Sequence, residues 1–452
     1  MKDKASFFQK VDLIEWALYS YFFIIPIIYV IQVITKNQYL SLLPSFFLLV
    51  PLIQVFTKKV NPSSNSVKKK KFDTIDYFMI FFFVLTVLWL PVELALYGVK
   101  SATSMTIRYI VPFLIYVYVS RYCSERALFW LLYIISAMSF CVAVELLFEN
   151  VCVRLYQYVP EFQYKSFEYV RDIVKGGELQ QFISYKGRPT GILEHLHATV
   201  FYIAIGSLAS MVVYFYKGWL IPLLFALFDF FVVFISGARV PFFLLVIGFI
   251  PFILIVRKDA TLSRRFYIFV IISSLAFICG CVLLLSQWHI VHFYVEKLYF
   301  LLFLKGQHAQ GSYIINDYSI HTQLILQNFQ KNLWVLIAGV GPTTLITKYH
   351  LGSEDFFLLR VFGQYGLIGG VLFYVLFFIA IQKCSKNYVN LTTTQKLLAI
   401  FSIIVLMMFL LSTLHSPAML RKAIYPFYFL ALGIVRFFVL NATTNLNVKK
   451  QD

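Results

Sequence analysis

Apolar residues in this chain come in long runs, without the strict alternation a half-buried strand would show. The runs lie near 12–35, 39–57, 74–95, 105–120, 127–148, 193–216, 219–236, 240–256, 266–286, 356–381, 397–414 and 423–441. A bilayer core about 30 Å thick needs roughly 20 apolar residues in a helix. Cut on that length, the sequence predicts an all-α polytopic integral membrane protein of about 12 transmembrane helices. Five helices fall in 1–148, four in 193–286 and three in 356–452. Two long segments, 149–192 and 287–355, break the pattern and are expected as external loops, long enough to carry function.

Composition sharpens that picture. Of the 452 residues, 60% are hydrophobic, 19% aromatic and 13% charged, against roughly 45–50% apolar and about 25% charged in soluble domains. This excludes a soluble enzyme, a disordered chain and a nucleic-acid-binding domain. The net charge of +18 reads as topology, because Lys and Arg gather in short cytoplasmic loops. Lys2, Lys4 and Lys10, Lys68 to Lys71, Arg121 and Arg126, Lys217, Arg257 to Arg265, Lys383 to Lys396, and Lys449 with Lys450 all fall on one side when the spans alternate. Both termini are therefore expected in the cytoplasm. The first apolar run follows MKDKASFFQK with no small-residue cleavage site after it, so it reads as a retained span. No cysteine spacing suggests a zinc site or a disulfide framework.

Ionisable groups at membrane depth are costly and mark candidate sites. Glu93, Glu194, Asp229, Arg239, Arg360 and Arg436 are such groups. Arg436, near the inner end of the last span, is expected to snorkel to the interface. Asp229 and Arg239 are too far apart on one helix to touch, so each is expected to pair with another helix. Arg188, Arg239 and Arg360 stand at external ends of spans. Three guanidiniums at one depth suit a diphosphate, which Arg grips bidentately; anchoring on lipid phosphate is the other reading. The tyrosines of 149–192 suit either a sugar-binding surface or an interfacial belt. His195 and His197 point to different helix faces, and His289 with His292 lacks a third ligand, so no metal site is expected. No nucleotide-binding loop, GxSxG or HExxH occurs.

The segment Arg188–Pro189–Thr190–Gly191, then Ser236–Gly237–Ala238–Arg239 at a short outer turn, then a long loop ending in Gly339–Val340–Gly341 and SEDFFLLRVFGQYGLIGG, stand in a telling order. Over roughly 185–380 that order resembles the O-antigen polymerase and ligase superfamily of bacterial membrane glycosyltransferases. The resemblance implies that Arg188 and Arg239 hold a lipid diphosphate. His321 stands where the ligase branch carries an arginine, and Asp355 and Phe356 where it carries a His–Asn pair, which favours the polymerase branch. The implied activity transfers glycan from polyprenyl diphosphate onto the next lipid-linked repeat unit, at the outer face of the bacterial cytoplasmic membrane. Arginines including Arg360 would stabilise the departing diphosphate. Asp355, Glu354 and His321, in that order, are the candidates for general base. No metal or soluble cofactor is expected. The partners implied are the polyprenyl-diphosphate-linked oligosaccharide, membrane lipid and a chain-length regulator, with no nucleic acid. A lipid-linked glycan flippase or exporter would use the same number of spans, and the ligase would use the same fold.

Overall fold

In the computed structural model every regular element among the described residues is helical, with no strands. Those residues are 12–35, 40, 43–57, 72–158, 193, 196–236, 238–258, 264–275, 323, 327, 330, 333–339, 357–412 and 423–448. The helices are α1 (Leu13–Thr35), α2 (Leu43–Thr57), α3 (Thr74–Leu88), α4 (Leu90–Met105), α5 (Phe113–Arg121), α6 (Glu125–Tyr158) and α7 (Leu196–Lys217). They continue with α8 (Leu220–Ile235), α9 (Arg239–Lys258), α10 (residues 264–275), α11 (Leu333–Ala338), α12 (Phe357–Asn387), α13 (Thr393–Ser412) and α14 (Tyr425–Val448). Five of these, or six if the bent α3–α4 pair is one span, are long and apolar enough to cross a membrane. Four shorter apolar stretches lie in α2, α8, α9 and α14. The chain is thus a helical protein with several apolar helices able to span a bilayer.

Prolines shape the third and fourth expected spans. α3 and α4 meet at a 51° bend, where Pro91 in the first turn of α4 lacks the N–H that would continue the hydrogen-bond ladder. Within α4 the chain turns at Gly98, and Ser101 Oγ donates to Glu93 Oε2 at 2.9 Å across that turn. A π-helical turn, Thr106–Ile110, and then Pro112 lead into α5.

Two helices carry the core. Every residue from 198 to 215 of α7 and from 423 to 438 around α14 is buried. α7 packs against α6, α8, α9 and α13, while α14 packs against α5, α12 and α13. Because lipid tails are as apolar as leucine, packing and polar contacts between helices must hold such axes together. Around α7 these are serines: Ser136 with Ser210, and Ser207 Oγ donating to the Ala226 carbonyl at 3.0 Å. Each such bond contributes on average about 0.6 kcal/mol in a membrane.

The helix ends are also tied together. Ser124 before α6 donates to Glu15 in α1 at 3.0 Å, and Gln395 in α13 donates to Glu125 in α6 at 3.2 Å. Arg265 in α10 donates to the last carbonyls of α7, at Phe215 and Tyr216. Lys383 near the end of α12 pairs with Asp73 before α3. Starts of three helices (α1, α6 and α13) and two start-to-end pairs (α10 with α7, α3 with α12) thus meet at one face of the bundle, the basic end.

Candidate functional site

Arg239 and Gly366, described parts of the sequence motifs, lie away from the basic end. Arg239 opens α9, whose Phe252 ring lies 5.4 Å from Phe215 near the C-terminus of α7. Thirteen residues of helix, about 20 Å, separate Arg239 from that level. The N-terminus of α7, which follows the Arg188–Gly191 segment in sequence, is likewise the end remote from Arg265. Gly366 of α12 lies seventeen residues, about 25 Å, before Lys383. Arg360 stands in the first turns of α12, on the same side of Gly366 as Glu354 and Asp355 in sequence. Arg188, His321, Glu354 and Asp355 lie outside the described residues, as do Glu194 and the tyrosine-rich segment 159–192; for Arg239 and Arg360 the backbone alone is described.

The structure brings two of the motif glycines into direct contact. Gly339, just after α11, and Gly366, within α12, have φ of 80° and 66°, values an L side chain rarely adopts. A Cβ on Gly339 would overlap the Gln364 carbonyl and lie 2.5 Å from Gly366 N; one on Gly366 would overlap the Ile337 carbonyl and lie 2.5 Å from Gly339 N. Each glycine therefore makes room for the other's backbone. This crossing pins the chain at Gly339 to α12 at Gly366, nine residues after the first residue of that helix, Phe357.

Beneath the crossing lies a wall of tyrosines from three separate elements. Tyr365 of α12 has its ring 6.4 Å from Tyr109 in the π turn, and Tyr109 lies 5.7 Å from Tyr425 of α14. Tyr425 stacks with Tyr428 at 6.1 Å. All four are buried, and among the described residues the hydroxyls of Tyr109 and Tyr428 have no hydrogen-bond partner. Buried tyrosine hydroxyls normally find one. The sequence pointed to the tyrosines of 149–192 and passed over this group, because its members are spread over more than 300 positions.

Three carboxylates are buried among the described residues: Glu93, placed above beside Ser101, and Asp76 and Asp229. Asp76, in the first turn of α3 and 2% exposed, accepts from Arg436 Nε at 2.7 Å, from Tyr116 Oη at 2.6 Å and from the Asp73 backbone N–H at 2.9 Å. Arg121 adds an ion pair at 3.1 Å. Arg436 is 1% exposed, so it does not snorkel: the paired carboxylate 360 positions away holds it inside. Asp229 in α8 is fully buried and accepts from Ser139 of α6 at 2.7 Å. Its partner is thus a hydroxyl on another helix, and its second oxygen has no hydrogen-bond partner among the described residues. Tyr202, whose buried hydroxyl also has none among the described residues, lies within electrostatic reach. Compared with protein-family models, with curated proteins and with solved structures, the chain finds no match.

Proposed function

We propose that this chain is an oligosaccharide repeat-unit polymerase, a glycosyltransferase with about 12 spans, both termini cytoplasmic, in a bacterial cytoplasmic membrane. The observation that carries the reading is the Gly339–Gly366 crossing, which locks two of the family-like motifs together at the end where Arg239 opens α9 and Arg360 opens α12. The tied helix ends support the sidedness, since every contact at the basic end joins segments that the Lys and Arg count assigns to the cytoplasm. The external end is then the reaction face.

There an acceptor hydroxyl of one lipid-linked unit attacks the anomeric carbon of another. The new C–O bond forms as the bond to the diphosphate oxygen breaks, inverting the centre. Asp355 takes the hydroxyl proton, with Glu354 and His321 as the other bases, and the leaving diphosphate carries the electron pair away. Arg188, Arg239 and Arg360 neutralise its growing charge, the usual dominant contribution in such transfers. A diphosphate is already a good leaving group, so the reading calls on no metal or cofactor.

A second reading, a lipid-linked glycan flippase or exporter, is favoured by Asp229: a fully buried carboxyl with one unpaired oxygen among the described residues suits a coupling site in a transporter. One experiment separates the two. Surface glycolipid is run on a gel from a strain with the gene deleted, then restored as wild type, Asp355→Asn or Arg239→Ala. The polymerase reading expects the deletion and both variants to collapse the ladder to single repeat units, with protein levels intact. Single units trapped on the cytoplasmic face would instead establish the flippase, and a full ladder in both variants would overturn the site.

A further inference from the structure

At the basic end, α6, α7 and α8 frame a shallow, open groove on the surface. Its wall on α6 is Arg126, Trp130 and Tyr133, at spacings of four and three that put them on one helix face. Its other wall is Tyr216 and Lys217 at the end of α7 and Trp219 before α8. The rings of Trp130, Tyr133 and Trp219 form a nearly equilateral triangle, with centroids 5.8 to 6.0 Å apart. Tyr216 is stacked on Phe129 at 3.6 Å, and Lys217 Nζ stands 4.6 Å above the Tyr216 ring. That fixes the ammonium beside the groove.

The charges are one-sided. Arg126 and Lys217 line the groove with no acid among its lining residues. The nearby carboxylates are engaged elsewhere: Glu125 accepts from Gln395, and Glu15, which feels Arg126 electrostatically, accepts from Ser124. Neither cation makes an ion pair or hydrogen bond among the described residues. Two exposed cations over an aromatic floor, between apolar helices and at the end assigned to the cytoplasm, match a phosphate carried at the level of the inner headgroups.

We infer that this groove seats the headgroup of an anionic phospholipid of the inner leaflet. Arg126 and Lys217 hold the phosphodiester, while the glycerol and first methylenes lie on Trp130, Tyr133 and Trp219. The inference rests on the membrane reading and its sidedness, and not on the glycan chemistry at the other end. A zwitterionic lipid brings its own cation between the two protein cations and fits less well.

The test uses the full chain, purified and delipidated in a neutral detergent, with thermal unfolding as the readout. Phosphatidylglycerol should raise Tm at lower concentration than phosphatidylcholine, and inorganic phosphate at equal concentration should not raise it. Arg126→Gln with Lys217→Gln should weaken the phosphatidylglycerol response at least about fivefold per charge removed, while Arg126→Lys with Lys217→Arg keeps it. An unchanged response in the double glutamine variant, or equal responses to the two lipids, overturns the proposal; a matching response to phosphate alone overturns the lipid source. A second arm needs no charge variant. Brominated phosphatidylglycerol should quench tryptophan fluorescence more than brominated phosphatidylcholine, and Trp130→Phe with Trp219→Phe should erase that difference. Equal quenching in the wild type also overturns it. None of these readouts depends on glycan synthesis.

Discussion

Asp76 shows what a single buried carboxylate costs and contributes in this bundle. Removing one member of a buried ion pair leaves the other charge uncompensated, a loss of about 3–5 kcal/mol. Asp76→Asn should therefore lower the melting temperature sharply, or abolish folded protein in detergent, as read by size-exclusion after heating. Arg121, 21% exposed on its side chain, has water as an alternative partner and rests on the Phe72 ring at 4.7 Å. Arg121→Gln should cost about 1 kcal/mol or less in the same assay. Equal losses from both variants would remove the special standing given to the Arg436 pair. The sequence made Arg436 visible but not its fate, because a pairing across 360 positions leaves no local trace. Asp76 was hidden in a different way. Its reciprocal contact with Asp73 at the start of α3 is the ordinary pattern of a capping box, which masks its second role toward Arg436.

The helices themselves were the most legible elements, since most fall within an apolar run and five or six are long and apolar enough to cross a bilayer, while α11 lies in a segment expected as a loop. Where the runs misled, proline and glycine were the cause. The expected helix over 74–95 is bent at Trp89, and the expected outer loop before 105 is helical on both sides of a turn at Gly98. The meeting of α11 with α12 was legible only as two glycine motifs in a suggestive order; that they interlock depends on backbone angles no composition reveals. The two kinds of glycine make different predictions. Gly98 has positive φ, and a Cβ added there would meet nothing within 4 Å, so Gly98→Ala should cost only the backbone strain, about 1–2 kcal/mol. Gly366→Ala adds a collision with the Ile337 carbonyl. It should lose more Tm than Gly98→Ala and also shorten the glycan ladder at permissive temperature. Equal effects of the two would show that the crossing is not needed.

At the scale of the molecule, two axial helices, α7 and α14, are surrounded by the rest, and the ends of the surrounding helices meet at a single face. The proposed sidedness can be measured against that arrangement. In a variant without native cysteines, Ser124→Cys and Gln395→Cys should react with a membrane-impermeant maleimide only after the cells are opened. Val99→Cys, 72% exposed at the Gly98 turn, should react in intact cells. Reaction of Ser124→Cys and Val99→Cys from the same side would break the alternation. The burial of α14 also has a consequence in time. Asp76 enters the membrane with α3, but Arg436 is added 360 residues later. At a synthesis rate of about 5–20 residues per second, that is on the order of 20–70 s. For that interval the nascent chain holds Asp76 with only the side chains of Arg121 and Tyr116 to pair it and a half-built bundle without its second axis, so the window in which a membrane chaperone or protease can act on it closes only when α14 emerges.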